Sequence, residues 1–331
     1  MVLLTLVAAL YLVGLSAYFV ALALGKARAG PLGFARELTP YLFVPVPVIV
    51  GAGLVLRAVV PLVLSVPSLV LMAVTLKPMW MVRRDRARPA AAPTRFRILT
   101  LNAGGNARVP SARDIERTVE RIDPDIVAIQ ELTAETLAPV RRSLVGRYAY
   151  CHGWWPAIVF SRLPIRSGST VRFSSLGSDA QRVEIEIAGR TVVLFNVHLT
   201  RPGYELKGRL AWLRLVRYYD PKRRDTDAAL VHAYVSRALP ACVLAGDLNA
   251  TEWSHPYRLF SATLVDAFRR AGRGWGNTYR VRLGRRRRQV RIPVARIDYL
   301  FHSPELVTFE ARVGPDCGSE HLPVVADLGF G

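Results

Sequence analysis

Three uncharged stretches fill most of the first 76 residues, and they restrict this chain more than anything after them. Val2–Leu24 runs 23 residues without a charge; Leu38–Leu56 and Ala58–Leu76 run 19 each, split by Arg57. About 20 apolar residues are needed to cross a bilayer as a helix. Lipid offers no partner to a free backbone N–H or C=O, so a crossing stretch must satisfy its own backbone. Val2–Leu24 has no charged start and no evident small-residue cleavage site, which favours a retained span over a signal peptide. Pro40, Pro45, Pro47, Pro61 and Pro67 interrupt the other two runs, which membrane helices tolerate when neighbours satisfy the freed groups. The expectation is three transmembrane helices with a tight turn at Arg57. The alternative is one span followed by a buried or re-entrant hairpin.

Three spans put Lys26, Arg28 and Arg36 on the same face as Arg83, Arg84, Arg86 and Arg88. The positive-inside rule then places the rest of the chain in the cytoplasm, and two spans reverse that. The expected location is the cell membrane, multi-pass, with the face of the following domain open. The plan is an anchor over 1–82, a basic Pro/Ala linker over 83–94, and a domain of soluble texture over 95–331. The net charge is +20, which suits a polyanion or an anionic membrane surface. Three cysteines, Cys151, Cys242 and Cys317, show no metal-ligand spacing, and no Cys or His cluster suggests zinc.

In the second domain a short apolar strand repeatedly ends on, or carries, an acid, an amide or a histidine. Arg97–Leu101 leads to Asn102, Ile126–Ile129 to Gln130 and Glu131, and Thr191–Val197 to His198. Cys242–Ala245 leads to Asp247 and Asn249, Arg296–His302 contains Asp298, and Glu320-His321 precedes Val324–Ala326. Charged groups at buried strand ends must be paired or must bind something. A buried carboxylate within IDYLF requires a partner, and histidine is the natural one. Oxygen-rich sets of this kind suit a hard divalent ion, Mg²⁺, with Mn²⁺ as the alternative. Ser111–Ile122 reads as an amphipathic helix capped by Ser111. Tyr204–Tyr219 and Asp225–Leu239 also read as helices, and Val281–Val294 as an Arg-rich hairpin with Arg285–Arg288 at its tip. Trp154, Trp155, Trp212 and Trp275 read as core or membrane-interface residues rather than base-stacking platforms.

Seven pieces, LTLNAGG, PDIVAIQEL, AIVFSRLPI, FNVHL, LAGDLNA, RIDYLF and GSEHLPV, occur in the order of the endonuclease/exonuclease/phosphatase superfamily, which the chain resembles across residues 95–331. The resemblance implies an α+β, DNase I-like fold, a four-layer α/β/β/α sandwich with its site at one end. It implies Glu131 as principal metal ligand helped by Asn102, and His198 and Asn249 on the scissile phosphate. Asp247 would position water or bind the ion, and His321 would be general acid or base. Asp298 would support the phosphate-binding side. The family reads Ser-Asp-His where this chain has Ser319-Glu320-His321, so Glu320 is weighed as orienter of His321, as a metal ligand, or as neither. The spans joined to this domain are similar to the membrane-bound teicoplanin-resistance members, which implies a lipid (polyprenyl) pyrophosphate as substrate and membrane lipid as partner. Nucleic acid is the alternative substrate, and an inactive membrane-anchored binding module is a third reading. No protein partner is indicated.

Overall fold

The computed structural model describes residues 1–80, 94–104, 109–173, 179–203, 211–238, 241–283 and 290–331. The chain forms two units. One joins Met1–Met81 to Pro202–Arg223, and the other joins Val82–Arg201 to Arg224–Gly331. The linker and Arg285–Arg288 lie outside the described residues.

The first unit begins with α1 (Val2–Ala23), α2 (Gly30–Glu37), α3 (Pro45–Val55) and α4 (Val59–Trp80). Among the described helices, α1 and α4 are long and apolar enough to cross a membrane. The expected middle span is not one helix. Thr39–Phe43 is a 3-10 turn, and α2 and Thr39–Val55 are bent by 87°. Proline explains the break: Pro40 sits in the turn, while Pro45 and Pro47 occupy the first turn of α3, where a missing N–H costs nothing. The 11 residues of α3 rise only about 17 Å. The turn at Arg57 is present. Arg57 takes φ 50°, and the Ala58 N–H closes on the Gly53 carbonyl at 2.8 Å, ending α3 in a left-handed cap. Polar groups here find local partners: Ser65 Oγ donates to the Pro61 carbonyl at 2.8 Å and Tyr11 to that of Leu42 at 2.7 Å.

The second unit starts with β1 (Arg95–Asn102), α5 (Ala112–Ile122), β2 (Ile126–Gln130), α6 (Ala134–Leu144), β3 (Tyr150–Trp154) and β4 (Ala157–Ser161). It continues with β5 (Ile165–Arg172), β6 (Asp179–Ile187) and β7 (Arg190–His198). The chain then contributes α7 (Ala211–Arg217) to the first unit before α8 (Lys222–Arg237). Of the helix expected over Tyr204–Tyr219, α7 is the part among the described residues. Next come β8 (Cys242–Asp247), α9 (His255–Ser261), β9 (Val265–Asp266), α10 (Ala267–Ala271), β10 (Tyr279–Leu283), β11 (Val290–Ala295), β12 (Asp298–His302), β13 (Leu306–Val313) and β14 (Val324–Phe330).

Two six-stranded sheets, β13-β14-β1-β2-β4-β3 and β5-β6-β7-β8-β12-β9, pack face to face. Ile98, Ile126 and Val159 of the first meet Leu194, Val243 and Leu300 of the second. The outer faces carry helices, with Ile115, Val119 and Val140 of α5 and α6 on one and Val231 and Val235 of α8 on the other. The result is the expected four-layer α+β sandwich. The apolar runs are unbroken because β2, β8 and β12 are buried on both faces. Ser111 and Asp114 form a capping box at the start of α5.

Arg296, 4% exposed, holds the β11–β12 corner. Its guanidinium donates to Glu252 Oε1 at 2.6 Å and to both Asp266 oxygens, and lies 4.5 Å from the Tyr299 ring centre. Arg296→Met leaves the buried Asp266 carboxylate without its cation, while Glu252 keeps Arg269, and is expected to cost about 3–5 kcal/mol, read as a lower denaturation midpoint of the full chain in detergent. Adding Asp266→Asn should restore most of it; no rescue would refute the assigned cause.

Candidate active site

Strand direction gathers the site. β1 and β2 run parallel, as do β7 and β8, so Asn102, Glu131, His198 and Asp247 fall at matching C-terminal ends. β12 runs antiparallel to β8 with Asp298 opposite Asp247, and His198 is the register partner of Asp247 on the other side. Asp247 is thus flanked by a histidine and an acid. An isolated bridge pairs Tyr279 with His321, and the two rings meet edge to face at 5.3 Å.

Glycine and left-handed backbone make room for these groups. Glu131 and Asn249 take φ 53° and 47°, conformations that cost energy in ordinary residues. A Cβ on Gly104 would fall 1.8 Å from Glu131 Oε2, and one on Gly246, at φ 140°, 1.8 Å from the Val197 carbonyl oxygen. The Asn249 N–H donates to Asp247 Oδ1 at 2.7 Å, and its side-chain amide donates to the Leu199 carbonyl at 2.8 Å. The turn holding Asn249 is therefore fixed by its neighbours.

His321 Nδ1 lies 2.9 Å from Asp298 Oδ2, to which Thr278 Oγ1 also donates, at 2.5 Å. Nε2 then faces Asp247 Oδ2 at 3.9 Å. The loop carrying His321 is pinned by the Ser319 hydroxyl, 2.7 and 2.9 Å from the Asn102 and Gly104 carbonyls, which also accepts the His321 N–H at 3.0 Å. Glu320 is not the orienter of His321; that place belongs to Asp298. The backbone directs the Glu320 carboxylate to Arg282, 3.9 Å away, and none of the Glu320 oxygens joins the acid and histidine clusters. Asp298, 1% exposed, is hydrogen-bonded to the histidine.

On the other side, Glu131 Oε1 lies 3.0 Å from His198 Nε2 and accepts from Arg201 Nη2 at 2.9 Å. Asn102 Nδ2 donates to Asp247 Oδ2 at 2.9 Å, and its Oδ1 accepts the Gly104 N–H at 2.8 Å. Burial raises the Glu131 pKa, but His198 and Arg201 outweigh it and hold the carboxyl well below the usual range. Burial and the Asp298 charge push Asp247 up, against His321 and His198. Burial alone would lower His198, yet Glu131 and Asp247 raise it. Burial likewise opposes protonation of His321, and Asp298 and Asp247 overcome it, lifting the ring to about 9.

Ligand atoms of Glu131, His198 and Asp247 lie within 4.8 Å of one another, as do those of Asp247, Asp298 and His321. Three carboxylates share one nearly dry sheet end, and the charge of one raises the pKa of another; His198, Arg201 and His321 face them. Oxygen donors without a thiolate fit a hard ion. Two contributors had no sequence signal. Arg201 sits past the FNVHL piece and Thr278 in a loop, and only the fold reveals their partners. His302 is satisfied structurally by the Ser303 carbonyl and Thr308.

This arrangement sets an acid-anchored histidine across from clustered carboxylates at the end of two packed sheets, a group of side chains that could hold a metal ion. The sequence model of the "Endonuclease/Exonuclease/phosphatase family" matches residues 99–321, and the chain belongs to that family, whose members are generally phosphodiesterase, nuclease or phosphatase hydrolases. The fold is similar to the endonuclease/exonuclease/phosphatase of Bacteroides vulgatus at 18% identity, TM-score 0.55, covering 72% of this chain and 100% of that one. It is similar to that of Beutenbergia cavernae at 22% identity, TM-score 0.54 and 72% of each chain. It is also similar to D. rerio TDP2, described as complexed with single strand DNA product, at 15% identity, TM-score 0.54, and 71% and 99% coverage. No curated protein matches the sequence.

Because the folded His321 pKa is raised, its stabilising contribution is fully present below about pH 6.5, the unfolded value. It is lost as pH rises through about 9. With chelator present, the unfolding midpoint should fall between pH 7 and 9.5, and Asp298→Asn should flatten that slope. An unchanged slope in the variant would contradict the pairing.

Proposed function

We propose that this protein is a membrane-anchored, divalent-metal-dependent phosphoester hydrolase acting on a lipid-linked, polyprenyl-type pyrophosphate. The observation that carries the hydrolase reading is the Asp298–His321 pair facing Asp247, with Glu131 close by. Supporting the lipid, α1 and α4 are suited to cross a bilayer, and the order of spans before catalytic domain resembles the teicoplanin-resistance protein VanJ.

Glu131, with Asn102, would hold Mg²⁺ or Mn²⁺, which neutralises charge on the phosphoryl oxygens when bound. Asp298 fixes the Nδ1–H tautomer of His321 and stabilises its imidazolium, so Nε2 exchanges a proton with water or the leaving oxygen. Asp247 orients the attacking water, and Asn249 and His198 contact the phosphate. Crossing by α1 and α4 alone puts Lys26, Arg28 and Arg36 on one face and the catalytic domain, with Arg83, Arg84, Arg86 and Arg88, on the other, so basic residues flank both faces. We place that domain outside the cytoplasm, where an outer-leaflet lipid pyrophosphate is within reach.

Nucleic acid is the second reading, favoured by the positive charge of the chain and by the DNA product described for the D. rerio relative. The inactive binding module rested on Glu320, and Asp298 in the orienting position removes that support.

Detergent-purified protein with Mg²⁺ and polyprenyl pyrophosphate should release phosphate. Glu131→Ala and His321→Ala should each lower the rate about 10²–10⁴-fold. Absence of any release beyond the His321→Ala background, with metal-dependent plasmid nicking in its place, would move the assignment to nucleic acid. Protease added to intact cells should digest residues 95–331; protection would overturn the outward placement.

A further inference from the structure

We propose that the β3–β4 turn is a membrane-contacting lip of the active site, with the indoles of Trp154 and Trp155 seated in the interfacial layer of the bilayer. The inference rests on the membrane-anchored reading above and adds to it the surface that brings the site to lipid.

Trp154 and Trp155 are 66% and 58% exposed. Two adjacent indoles this exposed stand out on a soluble-domain surface, and Tyr150 of β3 is exposed as well, at 38%. They are not loose. β3 pairs with β4 through Trp154 opposite Ala157. Gln181 Nε2 donates to the Ala157 carbonyl at 2.6 Å, and the Leu132 N–H donates to the Pro156 carbonyl at 2.8 Å. Leu132 directly follows Glu131, so the turn is bonded to the segment that carries the principal metal-ligand candidate. Among the described residues β3 is also the outermost strand of its sheet.

Lipid is the occupant that these features favour. Indoles prefer the membrane–water interface, apolar body inward and N–H at the headgroups. Arg141, whose Nη2 lies 3.5 Å from Cys151 Sγ on β3, supplies positive charge for anionic headgroups. Residues 81–94, which follow α4, reach at most about 50 Å when fully extended, which keeps the domain close to any bilayer that α4 crosses. Stacking of nucleobases on the same indoles is the rival outcome.

The test uses the full chain in nanodiscs containing anionic phospholipid, comparing wild type with the Trp154→Ala/Trp155→Ala variant. Brominated phospholipid should quench a larger share of wild-type than of variant tryptophan fluorescence. The KM for a bilayer-borne polyprenyl pyrophosphate should rise about tenfold in the variant, while turnover of soluble bis-p-nitrophenyl phosphate stays unchanged. Equal quenching in the two proteins overturns the proposal. So does an equal loss on both substrates, which would mark a structural role, or a selective loss of single-stranded oligonucleotide binding. If wild type hydrolyses neither substrate, the hydrolase reading fails, while the quenching still decides the lip.

Discussion

Asp247 has no exposed surface and shares its strand end with Asp298 and, nearby, Glu131. Buried carboxylates repel and resist ionisation unless cations or hydrogen-bond donors face them. The surrounding structure answers that demand. His198 and Arg201 face Glu131, His321 faces Asp298, and Asn102 and the Asn249 N–H face Asp247. The same arrangement that makes the acids tolerable leaves one imidazole nitrogen pointing at them, so the electrostatic problem of the fold and the chemistry of the site are one problem.

Between the sheets a second polar chain, Gln130 to Asn196 at 2.6 Å and Asn196 to Gln181 at 2.9 Å, links β2, β7 and β6 beneath the site. It crosses an otherwise apolar interior. Because buried amides find partners in only one geometry, this chain fixes the register of one sheet against the other, and so the spacing of Glu131 from His198.

Much of the site was readable because strands buried on both faces appear as unbroken apolar runs, and the residue that ends each run is conspicuous. The requirement that Asp298 have a partner followed from burial alone. That the partner is His321, and that Glu320 turns to Arg282, follows from the pairing of Tyr279 with His321, which no local pattern encodes. Arg201 and Thr278 were invisible for the same reason. At the N-terminus, apolar length alone suggested three spans. Prolines 40, 45 and 47 divide the middle run into a turn and a short helix, an effect of backbone chemistry that hydropathy does not register, and the count of spans is two, or three if α2 and Thr39–Val55 cross as one bent pair.

The packing of Pro202–Arg223 with the N-terminal helices has a consequence for anyone wishing to handle the catalytic portion alone. Tyr219 donates its hydroxyl to Glu37 at 2.6 Å, accepts the Gly30 N–H at 2.7 Å and lies edge-on to Phe34. A fragment starting at Arg95 keeps Tyr219 but deletes all three mates, so truncation at the apparent domain border strips a surface that the intact polypeptide covers. A shortened chain that is to keep Tyr219 covered therefore has to retain Gly30, Phe34 and Glu37 of α2.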